Sequence, residues 1–289
     1  MTRLSPLSLL QAVMGIIVVL LWVVAARADE APSRIVSVGG AITEIVYALG
    51  EEDRLVARDT TSNYPAAALA LPNVGYIRRL SPEGVLSVNP DLILAEEGAG
   101  PPEAVELLQE AAVPMIEVAG GYSQQAILDR IRTVADVLDV PDKGEDLAAR
   151  VKADLAIAVA ATEGLDEKRV LFILSMQGGR IMAAGDETSA QAIIDLAGGE
   201  NAVSGFVGFK PLTDEAITLS GADVILLMDR TGDHGITNEQ LFAHPALGVT
   251  PAAQTQSVVR MDGMLMLGFS VRTAQAITDL SQALQAAGS

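Results

Sequence analysis

The chain of 289 residues contains no cysteine. That excludes a disulfide scaffold, a thiolate metal site and a cysteine nucleophile, and it leaves no thiol for a lipoprotein anchor. Histidine is nearly as scarce: His234 and His244 lie ten positions apart, which fits neither the i, i+4 zinc pair nor a Cys/His cluster, and both read as ordinary loop residues. Aromatic residues make up only 3% of the chain. Basic charge is short as well. The 19 Lys and Arg face 37 Asp and Glu, a net charge of −18 with no basic tract, which argues against nucleic acid as a partner because phosphate recognition relies on clustered cations. Neither a G-x-S-x-G nucleophile elbow nor a G-x-x-x-x-G-K-[ST] phosphate loop occurs, so the sequence offers no catalytic constellation and predicts no enzyme.

Long apolar runs are absent except for one, Leu9 to Val24, at the amino terminus. Arg3 precedes it, and Ala26-Arg27-Ala28 follows with the small-x-small pattern of a signal-peptidase site. Residues 1–28 therefore read as a cleaved signal peptide. The leader takes two of the basic residues and no acid with it, leaving a charge of −20 on an acidic protein exported to a bacterial periplasm, with no membrane insertion.

Half of the residues are hydrophobic, enough for a substantial core, and their pattern alternates between short β-branched runs and longer helical periods. Strands are predicted at Arg34 to Val38, Asp53 to Ala57, Asp91 to Ala95 and Pro114 to Val118. Helices are predicted at Ala41 to Leu49, opened by Thr43, at Pro82 to Val88 and at Pro102 to Ala112. From Gln124 to about Glu163 the pattern is helical, broken only by Pro141 and Gly144. Strands resume at Arg169 to Leu174, Asp223 to Met228 and Ser257 to Asp262, with helices at Ser189 to Ala197 and Thr273 to Ala286. Gly178-Gly179 and Gly198-Gly199 read as turns or helix ends. This grammar predicts an α/β protein of two Rossmann-like lobes with parallel sheets. The lobes span residues 29–142 and 167–289, joined by one long helix within 143–166, with a ligand cleft between them.

An internal repeat supports two lobes. Leu80, Glu83, Asp91 and Leu94 recur at identical offsets as Leu212, Glu215, Asp223 and Leu226. Ser81 and Thr213 can each cap the following helix, and Glu83 and Glu215 fall in its first turn, where the helix dipole favours a carboxylate. Capping explains each glutamate alone; together they can also present a matched pair of acidic knobs.

The segment Asn73 to Leu80 places Tyr76 beside Arg78 and Arg79. If the backbone is extended, Tyr76 and Arg78 share a side. A cation beside a phenol favours phenolate, a good ligand for ferric iron. The same spacing also describes a half-buried tyrosine with solvated arginines, and spacing alone favours that reading.

Arg34 to Glu44, Gly75-Tyr76-Ile77-Arg78-Arg79-Leu80-Ser81-Pro82-Glu83-Gly84 and Asn89 to Leu94 closely resemble the periplasmic haem-binding proteins of bacterial ABC haem importers. The wider family includes cobalamin and ferric-siderophore binders. The resemblance continues at Leu174 to Gly179, Met182 to Gly185, Gly208 to Leu212 and Gly268 to Ile277. It implies two lobes on a rigid connecting helix, ferric haem as the transported ligand, Tyr76 as its axial ligand, and Arg78 and Arg79 as supporting residues. Where some relatives carry a second-lobe histidine, this chain has Met176-Gln177, which implies one haem with five ligands or a weak sixth. Met176 is a candidate for that sixth, although a wall methionine is the commoner role. Phe206, Phe209, Met266 and Phe269 are the candidate apolar wall. Lys210 and Arg180 are candidates for the propionates, with a solvated surface charge as the default for each. Glu83 and Glu215 resemble the positions through which the family docks on its permease and ATPase complex. The expectation is a monomeric carrier. The rivals are a siderophore or cobalamin binder of the same fold, a secreted enzyme and a structural envelope protein.

Overall fold

The computed structural model describes residues 31–111, 113–229 and 236–287; the predicted leader and His234 lie outside them. In chain order the first lobe contains β1 (Ile35–Val38), α1 (Gly40–Leu49), β2 (Leu55–Arg58), a ribbon of β3 (Gly75–Tyr76) and β4 (Arg79–Leu80), α2 (Pro82–Leu86), β5 (Leu92–Glu96), α3 (Pro102–Glu110), β6 (Met115–Val118) and α4 (Gln124–Val137). The twenty-residue α5 (Pro141–Ala160) follows. The second lobe contains β7 (Arg169–Gln177), β8 (Arg180–Ala184), α6 (Ser189–Leu196), β9 (Glu200–Asn201), β10 (Phe209–Pro211), α7 (Asp214–Ser220), β11 (Val224–Asp229), α8 (Asn238–Phe242), α9 (Pro251–Thr255), β12 (Val258–Asp262), α10 (Gly263–Leu267) and α11 (Thr273–Ala286).

The first sheet is all parallel, in the order β2-β1-β5-β6. All four residues of β1 are buried, because helices cover both faces and leave no polar side for the strand to alternate against. The second sheet runs β10-β8-β7-β11-β12, with β9 also on β7. Its β7, β11 and β12 are parallel, and β8 and β10 extend it as antiparallel strands. Beyond the predicted end at Leu174, β7 continues to Gln177 and turns back through Gly178-Gly179, at φ 55° and 76°. Positive φ at both central residues is the hairpin turn that matches strand twist, and glycine adopts it without steric cost.

The repeated aspartates have one structural task in both lobes. Asp91, just before β5, accepts hydrogen bonds from the Ser33 and Arg34 amides at the start of β1. Asp223, just before β11, accepts one from the Arg169 amide at the start of β7. Each ties its lobe's central strand pair in register. Ser81 and Thr213 cap α2 and α7 as predicted, accepting from the amides of Gly84 and Ala216. Thr43 does not cap α1. Gly39 stands at that end, while Thr43 is buried one turn inside, bonded to the hydroxyls of Ser37 and Ser62.

Helix α5 buries Gly144, Leu147, Ala148, Val151, Leu155 and Ala158, an i, i+3/i+4 stripe. A methyl at Gly144 would strike Ala135 of α4, so the two helices pack at glycine contact distance. One apolar core runs from Ile35 and Ile42 through α4 and α5 to Phe172, Leu226 and α11, continuous across both lobes. Separate clusters fill the outer face of each sheet.

Candidate functional site

In the first sheet the strand order reverses between β1 and β5, and ligands of open α/β sheets bind outside the carboxyl ends of the strands at such a switch point. The β3–β4 ribbon is docked there. From the β2 end, the Thr60 amide donates to the Gly75 carbonyl (2.7 Å) and Asp59 accepts from the Ile77 amide (3.2 Å). From the β5 end, Gly100 accepts from the Leu80 amide (2.8 Å) and donates to the Ile77 carbonyl (2.9 Å).

Asp59 is the hub of this arrangement and is fully buried. Its carboxylate also accepts from the Gly39 amide ahead of α1 (3.1 Å), and from the amides and hydroxyls of Thr61 and Ser62. One side chain thereby joins the ends of β1 and β2 to the ribbon.

Ile77 and Arg78 form the ribbon's turn, so Tyr76 and Arg78 do not alternate along an extended strand. The register instead pairs Tyr76 with Arg79, and directly opposed residues share a face of the ribbon. Tyr76 is 49% exposed, and its phenol makes no hydrogen bond among the described residues. Arg78 reaches back to the carbonyls of Glu97 and Gly98. Gly98 itself holds φ 78°, a left-handed conformation that glycine adopts without strain. Beneath it, Glu96 is packed against Gly39. Burial pushes its carboxyl above the usual carboxylate range, partly opposed by Arg130 and Arg78 and reinforced by Asp59 and Glu44.

The carboxyl ends of the second sheet approach the same region. Met264, in α10 just after β12, packs against Gly40 at the carboxyl end of β1. Met176 is partly buried and lines a concavity of about 280 Å³ at the ends of β7 and β11 with Ser175, Met228, Asp229 and Arg260. Arg180 is exposed beyond the Gly178-Gly179 turn. Lys210 and Phe206 lie together, ammonium to ring centroid 5.8 Å. Phe209 takes the opposite face of β10, its ring 6.2 Å from that of Phe172. Met266 and Phe269 lie in the shared core, at 0% and 1% exposure, rather than on an open wall. Among the described residues no hydrogen bond or ring contact links Tyr76 to these second-lobe candidates.

Two rings escaped the sequence reading. Tyr64, in the loop after β2, and Tyr122, after β6, are each 46% exposed, so with Tyr76 in β3 the first lobe carries three half-exposed tyrosines. The usable signal was scarcity, since the chain holds only four tyrosines. Glu83 and Glu215 are both exposed in the first turns of α2 and α7. Around Glu215 the surface is apolar, with Leu219 75% and Val249 61% exposed. His244 is ordered rather than free, with Nε2 3.0 Å from the Gly179 carbonyl oxygen.

Known proteins are similar to this chain in fold and sequence. The solved periplasmic heme-binding protein BhuT, in complex with two hemes, is 39% identical and superposes over 88% of this chain and 98% of its own, with a TM-score of 0.84. An ABC transporter substrate-binding lipoprotein of Bacillus subtilis (strain 168), YvrC, is 29% identical over 202 residues, 68% of this chain and 64% of that relative's length. The vitamin B12-binding protein of Vibrio parahaemolyticus serotype O3:K6 is 24% identical over 216 residues, 75% of this chain and 76% of its own. The periplasmic binding protein family model matches residues 35–265, from the first strand of one sheet to the helix beyond the last strand of the other, and with its two α/β sheets and the long helix between them in sequence, this chain belongs to that family.

Proposed function

We propose that this protein is an exported carrier that binds one ferric haem between its lobes, with the Tyr76 phenolate as axial ligand, and hands it to an ABC importer. The observation that carries the reading is the half-exposed, unbonded phenol of Tyr76 on a ribbon pinned from both sides at the switch point. Among the described residues no cluster of three or more His, Asp or Glu is placed to hold a bare metal ion. A single phenol suits an iron whose other ligands arrive with it, as in a porphyrin.

Arg79, paired across the ribbon, shares a face with Tyr76, and Arg78 holds the turn in place. Met176 lines a concavity of mixed character with Ser175, Met228, Asp229 and Arg260, and Lys210 and Arg180 are surface cations that suit propionate carboxylates. Similarity to BhuT supports haem as the ligand. Glu83 and Glu215, one per lobe, register the carrier on basic residues of the permease, where charge guides encounter more than it adds affinity.

The test is an absorbance titration of residues 29–289 with ferric haem beside Tyr76→Ala. Saturation at one haem per chain with phenolate-to-iron charge-transfer bands, absent from the variant, is the expected outcome. Saturation at two would revise the stoichiometry, and bands retained in Tyr76→Ala would remove the assigned ligand. The vitamin B12-binding relatives keep a second reading in view, cobalamin on the same fold, for which Tyr76→Ala would leave binding nearly intact.

A further inference from the structure

The stretch Gly268 to Arg272 is where the second lobe enters the first. The Glu44 carboxylate of α1, 4% exposed, accepts from the Ser270 hydroxyl and from the Arg272 guanidinium. That guanidinium also lies over the Tyr64 ring, 3.7 Å from its centroid. The exchange runs in the other direction too. Arg130 of α4, 2% exposed, donates through Nη1 to the Phe269 carbonyl at 2.6 Å, and its Nε bonds the Ala119 carbonyl of its own lobe. Phe269 packs its ring 5.3 Å from Tyr122 and holds φ 47°, a left-handed backbone that a bulky residue keeps only where its surroundings enforce it.

Each lobe therefore sends one arginine into the other, Arg130 buried and Arg272 with its side chain 14% exposed. Burying a guanidinium is costly unless it is paired and hydrogen-bonded, and the planar fork loses that geometry when only a point charge replaces it. We infer that Arg130 and Arg272 are positioning residues that fix the separation of the lobes independently of α5, and so set the width of the cleft facing Tyr76. The cleft's role rests on the carrier reading; the fixed separation does not.

The lack of native cysteine makes the separation measurable. Glu106→Cys on α3 and Gln254→Cys on α9, both at exposed positions, take spin labels on opposite lobes without competing sites. The free protein should give one narrow distance distribution. Arg130→Gln with Arg272→Gln should broaden or shift it by more than about 2 Å. Ferric haem should then dissociate about tenfold faster, with its charge-transfer bands unchanged, because the ligand itself is untouched. Tyr64→Leu, which removes only the exposed ring, should give a smaller broadening, and Arg272→Lys should fail to restore the native width. If the double variant does not fold, these two single variants decide. A native distribution in folded variants overturns the inference. Broadened distances in a protein that takes up no haem would uphold it while removing the carrier reading.

Discussion

Every donor to the Asp59 carboxylate is a neutral amide or hydroxyl, so its charge is held by converging dipoles at the head of α1 rather than by a cation. Asp59→Asn would turn an amide's own donors toward N–H groups and leave them unpaired, at a cost of about 1–3 kcal/mol. Because the Ile77 amide is one of those donors, the variant should also loosen the ribbon and weaken haem binding by about 10–100-fold, the usual effect of losing a group that orients a metal ligand. Urea unfolding and the haem titration measure the two effects separately. Lost stability with unchanged affinity would make Asp59 a core residue only.

Glu96 makes a prediction in pH. Burial raises its folded pKa above the unfolded value of about 4.3. The ionised form is then the costly one, so the penalty is absent at acid pH and sets in as pH rises through the folded value. Glu96→Gln should therefore gain stability over the parent at about pH 8 and gain none below about pH 4, as read from urea midpoints at the two pH values. An equal gain at both would mean that ionisation is not its source.

At the scale of elements, Ser81 and Thr213 each satisfy one amide at the head of a short helix, α2 and α7. Ser81→Ala and Thr213→Ala should each lower stability by about 1 kcal/mol, measured by thermal unfolding, and act additively because they lie on different lobes. A shared, non-additive loss would show that the two lobes unfold through one coupled step at these helices. These caps were legible in the sequence because the interaction spans three residues. So were the buried strands and α11, whose β-branched runs and helical period report burial directly. The Tyr76 ribbon was not legible: Ile77-Arg78 has no glycine or proline to mark a turn, so extended alternation was the natural reading, and the fold replaced it with the Tyr76–Arg79 pair. The β7–β8 hairpin carried its signal in Gly178-Gly179, but the short strand after it, Arg180–Ala184, is too brief to announce itself by period. The roles of Asp59, Glu44, Arg130 and Arg272 depend on partners up to 228 positions away, which no local pattern contains.

Across the whole molecule, a core continuous from one lobe to the other, a twenty-residue helix and exchanged arginines all oppose large lobe closure. A rigid carrier leaves release to its partner. On the carrier reading proposed above, docking at the exposed Glu83 and Glu215, with the apolar surface of Leu219 and Val249 beside one of them, would then have to strain the seam or the proposed Tyr76 bond to let the ligand go. The family and the two-lobe plan were readable from repeat, spacing and resemblance, whereas the seam between the lobes runs through Phe269, which the sequence reading placed on the ligand wall.

The choice of ligand decides the account, and paired equilibrium titrations of residues 29–289 and Tyr76→Phe with ferric haem and with cobalamin test it directly. Haem should bind the parent at least about 100-fold more tightly than cobalamin does, and Tyr76→Phe should erase most of that preference by weakening haem alone. Tighter cobalamin binding, unchanged by Tyr76→Phe, would contradict the account.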